Sequence, residues 1–368
     1  VTDSIELTTN VASGALAQTA INAVQNLLEA ARRRTETKNG ARVYLTLQLD
    51  SDSAEWRSEI LHGQLISGND TLRAWQGIQP QTLIVERVHF WEGQSQVFVS
   101  GQSLTNTDGS NSHYTATPVE GVLPTPPIIA LTNLSGSTQT PSEVYFGINA
   151  FNNPATFDGT LGATSYSGTA PYTYKVHETY TLTSAQLAAL HGDYVRFVGA
   201  FPTAYASSTW YKIVQALFTT PLGETFAVYP GAQDSDLLDF GTMRVPLGGY
   251  DTQTTGIYLR MQSESLTQSI SITMTFMQMF PADNVRKYTY LGGTLPNGWS
   301  IYDDGIEEAI YAGYPTSRQP SLTAAGRPLM LHPQQGHRFI WLMGESTGYD
   351  STATCQLTVS YRPRRITL

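Results

Sequence analysis

A chain of 368 residues allows one large domain or two to three ordinary ones, and only 14% of it is charged, against the roughly 25% of ordinary soluble domains. With 30 Asp plus Glu against 21 Lys plus Arg, the net charge is −9, so the surface as a whole repels polyanions and any nucleic-acid contact must be local. Abundant aromatic and β-branched residues exclude disorder, the lack of any run near ~18 apolar residues excludes a membrane-spanning helix, and a single cysteine, Cys355, excludes a disulfide scaffold.

The first seven residues, Val1 to Leu7, lack the basic-then-apolar pattern of a secretory leader, and a start at Val1 reads as a processed end. An amphipathic helix follows. Leu16, Ala20, Val24, Leu27, Leu28 and Ala31 recur at steps of three and four with Ile21 alongside, after Ser13-Gly14 as a start and before Asn39-Gly40 as a left-handed stop. Its last turns carry Arg32, Arg33 and Arg34, with Lys38 just beyond, opposing the negative end of the helix dipole.

Beyond Gly40 the period falls to two. Val43, Leu45, Leu47 and Leu49 alternate with polar residues, and Thr82 to Trp91 with Ser95 to Ser100 predicts a hairpin through Glu92-Gly93-Gln94. Further strands are expected at 143–148, 172–182, 194–199, 210–218, 225–229, 256–261, 269–280, 338–343 and 354–361. In the last, Cys355, Leu357, Val359 and Tyr361 form the inner row, so Cys355 reads as a small core hydrophobe. Two short helices are expected, Ser184 to Leu190 and Asp304 to Tyr311. Strands and helices do not alternate, which argues against a parallel α/β sheet. The fold class expected is mainly β: an antiparallel β-sandwich, one large or two in tandem, behind an N-terminal amphipathic helix. Pro-, Gly- and Ser-rich sequence between Leu123 and Pro171 suggests boundaries giving an arm at 1–40, a first β unit at 41–170, and a second at 171–368 with a basic tail.

Catalytic signatures are missing from the sequence. The seven histidines fall at no tight ligand spacing, His332 and His337 merely flank a turn, and neither a nucleophile elbow, a P-loop nor a dinucleotide fingerprint occurs. The chain is therefore read as not an enzyme. Asp234, Asp236 and Asp239 can offer hard oxygens to calcium, although the loop lacks the EF-hand pattern, and a polar loop is the plainer reading. Asn69-Asp-Thr71 and Asn133-Leu-Ser135 fit the glycosylation pattern at a frequency close to chance. Trp91, Trp210, Trp299 and Trp341 can line a sugar-binding face or, as their strand settings suggest, a core. The basic clusters are more suggestive. Arg32, Arg33, Arg34 and Lys38 near one end, and Arg362, Arg364 and Arg365 near the other, are placed to touch neighbouring subunits or nucleic acid.

Gly256-Ile-Tyr-Leu-Arg260, the alternating strand 269–280 with Pro281, and the segment from Asp304 to Tyr314-Pro315 resemble the late strands and following short helix of the β-jelly-roll capsid proteins of small non-enveloped viruses. The Arg-bearing N-terminal helix resembles the internal arm of such coats, and 354–365 is similar to the terminal strands of phage virion proteins. The resemblance implies a jelly-roll sandwich and a structural role in the virion, with copies of the chain and other virion proteins as partners. Packaged nucleic acid is a further candidate partner through the terminal arginines. No cofactor is implied, calcium apart. A phage tail-tube subunit and an extracellular carbohydrate-binding or adhesion β-protein are the alternatives.

Overall fold

The fold is that of a computed structural model, which describes residues 1–10, 14–48, 55–67, 78–106, 113–149, 164–169, 175–182, 194–200, 213–219, 225–228, 237–244, 255–262, 269–274, 276–290, 293–314, 317–319, 322–333, 336–345, 348–349 and 352–367. It is mainly β, with several antiparallel sheets and one helix among the described residues. The chain divides into two compact units. The first is formed by residues 1–95, 121–123 and 362–368, and the second by 96–120 and 124–361. The division falls elsewhere than at residues 40 and 170, because the N-terminal helix packs on the strands that follow it and the strand at 141–149 pairs with 337–345.

In the first unit, β1 (Thr2–Asn10), β2 (Tyr44–Gln48), β3 (Glu55–Ser67), β4 (Ile78–Arg87), β5 (Trp91–Glu92) and the C-terminal pair Arg364–Arg365 form one antiparallel sheet, in the order β1-β4-β3-β5 and then 364–365, with β2 on β3. Helix α1 (Gly14–Thr37) lies mainly on β3. The opening residues are thus a sheet strand rather than part of a helical arm. The expected hairpin between 82–91 and 95–100 does not form: β4 pairs with β1 and β3, whereas Gln96–Thr105 pairs with Thr354–Tyr361 in the other unit. The turn signal at Glu92-Gly93-Gln94 is real, but Gly93 donates its N–H to the Pro363 carbonyl at 2.9 Å, so the chain turns toward its own C-terminus.

The buried stripe of α1 is Ala17, Ile21, Leu28 and Ala31, with Val24 partly covered, over Ile60, Leu83 and Val85. Leu16 and Leu27, expected inside, are 53% and 54% exposed, and Ala20 is exposed. Two parallel ridges of equal spacing run along this helix, and the sheet selects the second. Gly63 permits the fit, since a Cβ there would stand 2.6 Å from Leu28 Cδ2. At the C-terminus Lys38 itself takes the left-handed conformation at φ 60°, one residue ahead of the expected Asn39-Gly40 stop.

In the second unit, two six-stranded antiparallel sheets share one core. One carries Pro141–Asn149, Val285–Tyr290 and His337–Glu345; the other carries Gln96–Thr105, Ile128–Asn133, Ser300–Asp304 and Thr354–Tyr361. The last strand alternates as expected, with Cys355, Leu357, Val359 and Tyr361 buried. A three-stranded sheet (Tyr194–Ala200, Leu237–Arg244, Phe276–Pro281) contributes Val198 and Phe280 to a second cluster with Tyr145, Ile340 and Leu342 on the opposite face of the first sheet. That sheet is therefore covered on both sides, which is why Phe339 to Met343 and Val144 to Phe146 are continuous apolar runs.

The strand expected over 269–280 is two strands. Ser269–Met274 pairs with Thr164–Thr169, and Phe276–Pro281 pairs with Tyr194–Ala200. The helix expected at 304–311 is a hairpin: Ser300–Asp304 pairs with Ala309–Tyr314, and Tyr302 stacks on Tyr311 at 4.8 Å. Asp304 Oδ1 accepts the N–H groups of Ile306 and Glu307, both at 3.0 Å, and Glu308 adopts φ 55°, so side-chain turn chemistry overrides local helix propensity. The helix expected at 184–190 lies outside the described residues. No helix among the described residues is long and apolar enough to cross a membrane.

Candidate functional site

Arg362, Arg364 and Arg365 are not a loose tail. Arg364 and Arg365 pair with Glu92 and Trp91 in the sheet, and Val122 donates its N–H to the Arg364 carbonyl at 2.8 Å. This return strand gathers cations around one carboxylate. Arg364 donates from Nε at 3.1 Å and from a terminal nitrogen at 2.8 Å to Glu92 Oε1, while Arg57 reaches Oε2 at 3.4 Å. Arg362 donates to the Gly93 carbonyl at 2.9 Å. Burial, and then the neighbouring Arg57 cation, lower the Arg362 pKa, with Glu92 acting against them. Three guanidinium groups thus crowd a carboxylate whose side chain is 7% exposed.

Aromatic rings hold these guanidiniums flat. Arg57 lies over Tyr44 at 4.0 Å, Arg364 over Phe90 at 4.1 Å, and Arg365 over Trp56 at 4.6 Å. Arg87 extends the pattern over Trp91 at 4.4 Å and is ion-paired to Asp3. Arginine tolerates such stacking because its guanidinium is planar and weakly hydrated. Gly93 fits closely beneath the cluster: a Cβ there would lie 3.0 Å from Pro363 Cγ and 3.3 Å from the Trp56 ring. Chemically the cluster holds positive charge in excess at a partly covered, aromatic-backed surface, which suits planar anions such as carboxylates.

The helix arginines are arranged differently. Arg32 pairs with Glu29 and Glu36 at 2.8 and 2.7 Å, Arg33 with Glu29 at 3.0 Å, and Arg34 caps the Lys38 carbonyl. The pairing with Arg32 and Arg33 holds the Glu29 carboxyl down at about 2. Sequence reasoning located both arginine clusters but missed Arg57, Glu92 and the rings of Tyr44, Trp56 and Phe90. The available signal was Arg57 beside Trp56 in an alternating strand.

Asp239 lies in the second unit, where its two oxygens take Arg196, the Tyr145 hydroxyl at 3.0 Å and the Gly241 N–H at 2.9 Å. Burial raises its pKa, and Arg196 with Gly241 overrides that, leaving the carboxyl below its ordinary range. Its carboxylate is thus already matched by a guanidinium; Asp234 and Asp236 lie outside the described residues. No group of three or more His, Cys, Asp or Glu positioned for a metal occurs among the described residues. His337 Nε2 accepts the His332 N–H at 3.0 Å, so the two histidines bond to each other through backbone and ring. Asn133 is buried, donating to the Ser137 and Leu295 carbonyls, and presents no glycan acceptor; Asn69 is outside the described residues. Trp91 and Trp341 are buried and Trp299 packs against the core, while Trp210 is outside the described residues. Cys355 is buried, and burial pushes its thiol pKa up.

No protein-family model matches the chain, and no curated protein matches its sequence.

Proposed function

We propose that this chain is a coat subunit of a non-enveloped virus or bacteriophage, a jelly-roll-type β-sandwich protein that assembles with copies of itself. The observation that carries this reading is how charge divides between the two units. The first holds 11 Lys plus Arg and 11 Asp plus Glu, with its arginines gathered on aromatic rings, whereas the second holds 10 and 19 and so the whole net charge of −9. A cationic, ring-backed cluster on one unit and the net negative charge of the other would attract between copies, and such head-to-tail contacts propagate into rings, shells or filaments. Arginine and aromatic side chains are also the residues enriched at interface centres. Standard interfaces remove roughly 1,600 Å² of surface, and repetition in a closed particle multiplies contacts of individually modest strength.

Electron micrographs and sedimentation of the purified chain test this reading. A closed shell is the expected product. Stacked rings would reassign the subunit to a tail tube, and a chain that stays monomeric up to high concentration would overturn the assembly reading altogether.

A further inference from the structure

We propose that Asn39-Gly40, just past the end of α1, is a self-modifying site, where the backbone nitrogen of Gly40 closes on the Asn39 side chain and turns its carboxamide into an acid. In this reaction Gly40 N loses its proton and bonds to Asn39 Cγ. The carboxamide nitrogen takes up a proton and leaves as ammonia, and a five-membered imide remains. Water then opens the imide at either carbonyl, leaving an aspartyl or an isoaspartyl linkage at position 39. Water is the sole co-reactant, and a single chain suffices whether or not copies assemble. A glycine in the following position favours closure, because without a Cβ its nitrogen is open to approach and its backbone turns freely.

The chain holds two Asn-Gly pairs, and the fold treats them oppositely. Asn297 Oδ1 accepts the Gly136 N–H at 3.0 Å, and Gly298 donates its own N–H to the Asn133 carbonyl at 2.8 Å. Electrophile and nucleophile are both held. Asp304-Gly305, which can close the same imide, is restrained likewise: Asp304 Oδ1 accepts the Ile306 and Glu307 N–H groups, and Gly305 donates to the Pro127 carbonyl at 3.0 Å. At the end of α1 the restraints are missing. Asn39 and Gly40 are both exposed, and the one bond of Asn39 runs from its backbone N–H to Thr37 Oγ1 at 3.3 Å. Among the described residues neither the Asn39 carboxamide nor the Gly40 N–H has a hydrogen-bond partner. Gly40 stands at φ 95°, and a Cβ there would meet nothing within 4 Å, so the ring forms without displacing a neighbour.

The helix end also supplies favourable charge. Lys38, and Arg34 capping its carbonyl, put two cations in the turn whose nitrogen must give up a proton, and nearby positive charge favours the deprotonated form. The product places a carboxylate among these cations on the formally neutral first unit, and its isoaspartyl form adds a methylene to the backbone between α1 and β2.

Peptide mapping by mass spectrometry, on the full chain aged in mildly alkaline buffer, tests the site. Position 39 should convert at least about tenfold faster than position 297, because two hydrogen bonds must break before the latter can close. In denaturant those bonds are gone and the gap should close. Asn39→Gln should remove the acidic form seen on isoelectric focusing, since glutamine would have to close a slower six-membered ring, and Asn39→Asp marks where that form runs. Equal rates at the two positions in the folded chain, a gap that persists unchanged in denaturant, or an acidic form that survives Asn39→Gln would each overturn the proposal.

Discussion

Glu92 shows how one side chain can organise a surface. Its carboxylate is buried with Arg364 and Arg57 on its two oxygens, and Arg362 lies near enough to feel it. Removing one partner of a buried pair leaves the other charge uncompensated, usually a loss of about 3 to 5 kcal/mol. Glu92→Gln should therefore lower the thermal stability of the first unit by about 3 kcal/mol, seen as an earlier melting transition. His337 supplies the pH counterpart in the second unit. It is fully buried against Phe98 and Phe339, and burial, with His332 beside it, lowers its pKa from 6.5 to about 4. The unfolded chain thus binds a proton that the folded chain refuses, so this contribution is complete above pH 6.5 and is lost as pH falls toward about 4. The loss is at most about 3 kcal/mol. Denaturant titrations across that window should show the decline, and His337→Gln should flatten it.

At the scale of elements, the helix and its sheet illustrate selection between equivalent faces. The ridge Ala17-Ile21-Val24-Leu28-Ala31 and the ridge through Leu16, Ala20 and Leu27 have the same spacing, and periodicity alone cannot choose. Contact with β3 chooses, because Gly63 leaves room for Leu28, and the Thr35 hydroxyl reaches the Leu61 carbonyl at 2.9 Å to set the helix along the strand. Gly63→Ala puts a methyl group into Leu28 and should destabilise the first unit by about 1 to 3 kcal/mol. Gly63→Ala with Leu28→Ala should recover part of the methyl clash, a coupling that a double-mutant cycle measures. The hairpin at 300–314 is the opposite case, where an Asp side chain and one left-handed residue stop a helix that local composition favours.

For the whole molecule, charge is partitioned as well as scarce. One unit is formally neutral with stacked arginines and the other bears the full −9, so association between unlike units gains Coulomb energy that salt screens. Sedimentation should accordingly show assemblies weakening as ionic strength rises from roughly 0.05 to 0.5 M, where the Debye length shrinks from about 14 to 4 Å. Contacts made chiefly of buried apolar area would instead hold or tighten in strongly salting conditions.

The sequence by itself determined the β-rich class, the long helix near the N-terminus, the alternation of 354–361 and the core role of Cys355, because each is written in local periodicity or composition. It also marked Arg362, Arg364 and Arg365. Tertiary structure alone decided which ridge of α1 is buried, where 96–105 finds its partner, and that 304–311 turns instead of coiling. It also decided that Glu92 joins Arg57, 35 positions away, and Arg364, 272 positions away. Strand partners and ion-pair partners are set by contacts remote in sequence, whose energies depend on shape and burial that no short window of residues contains.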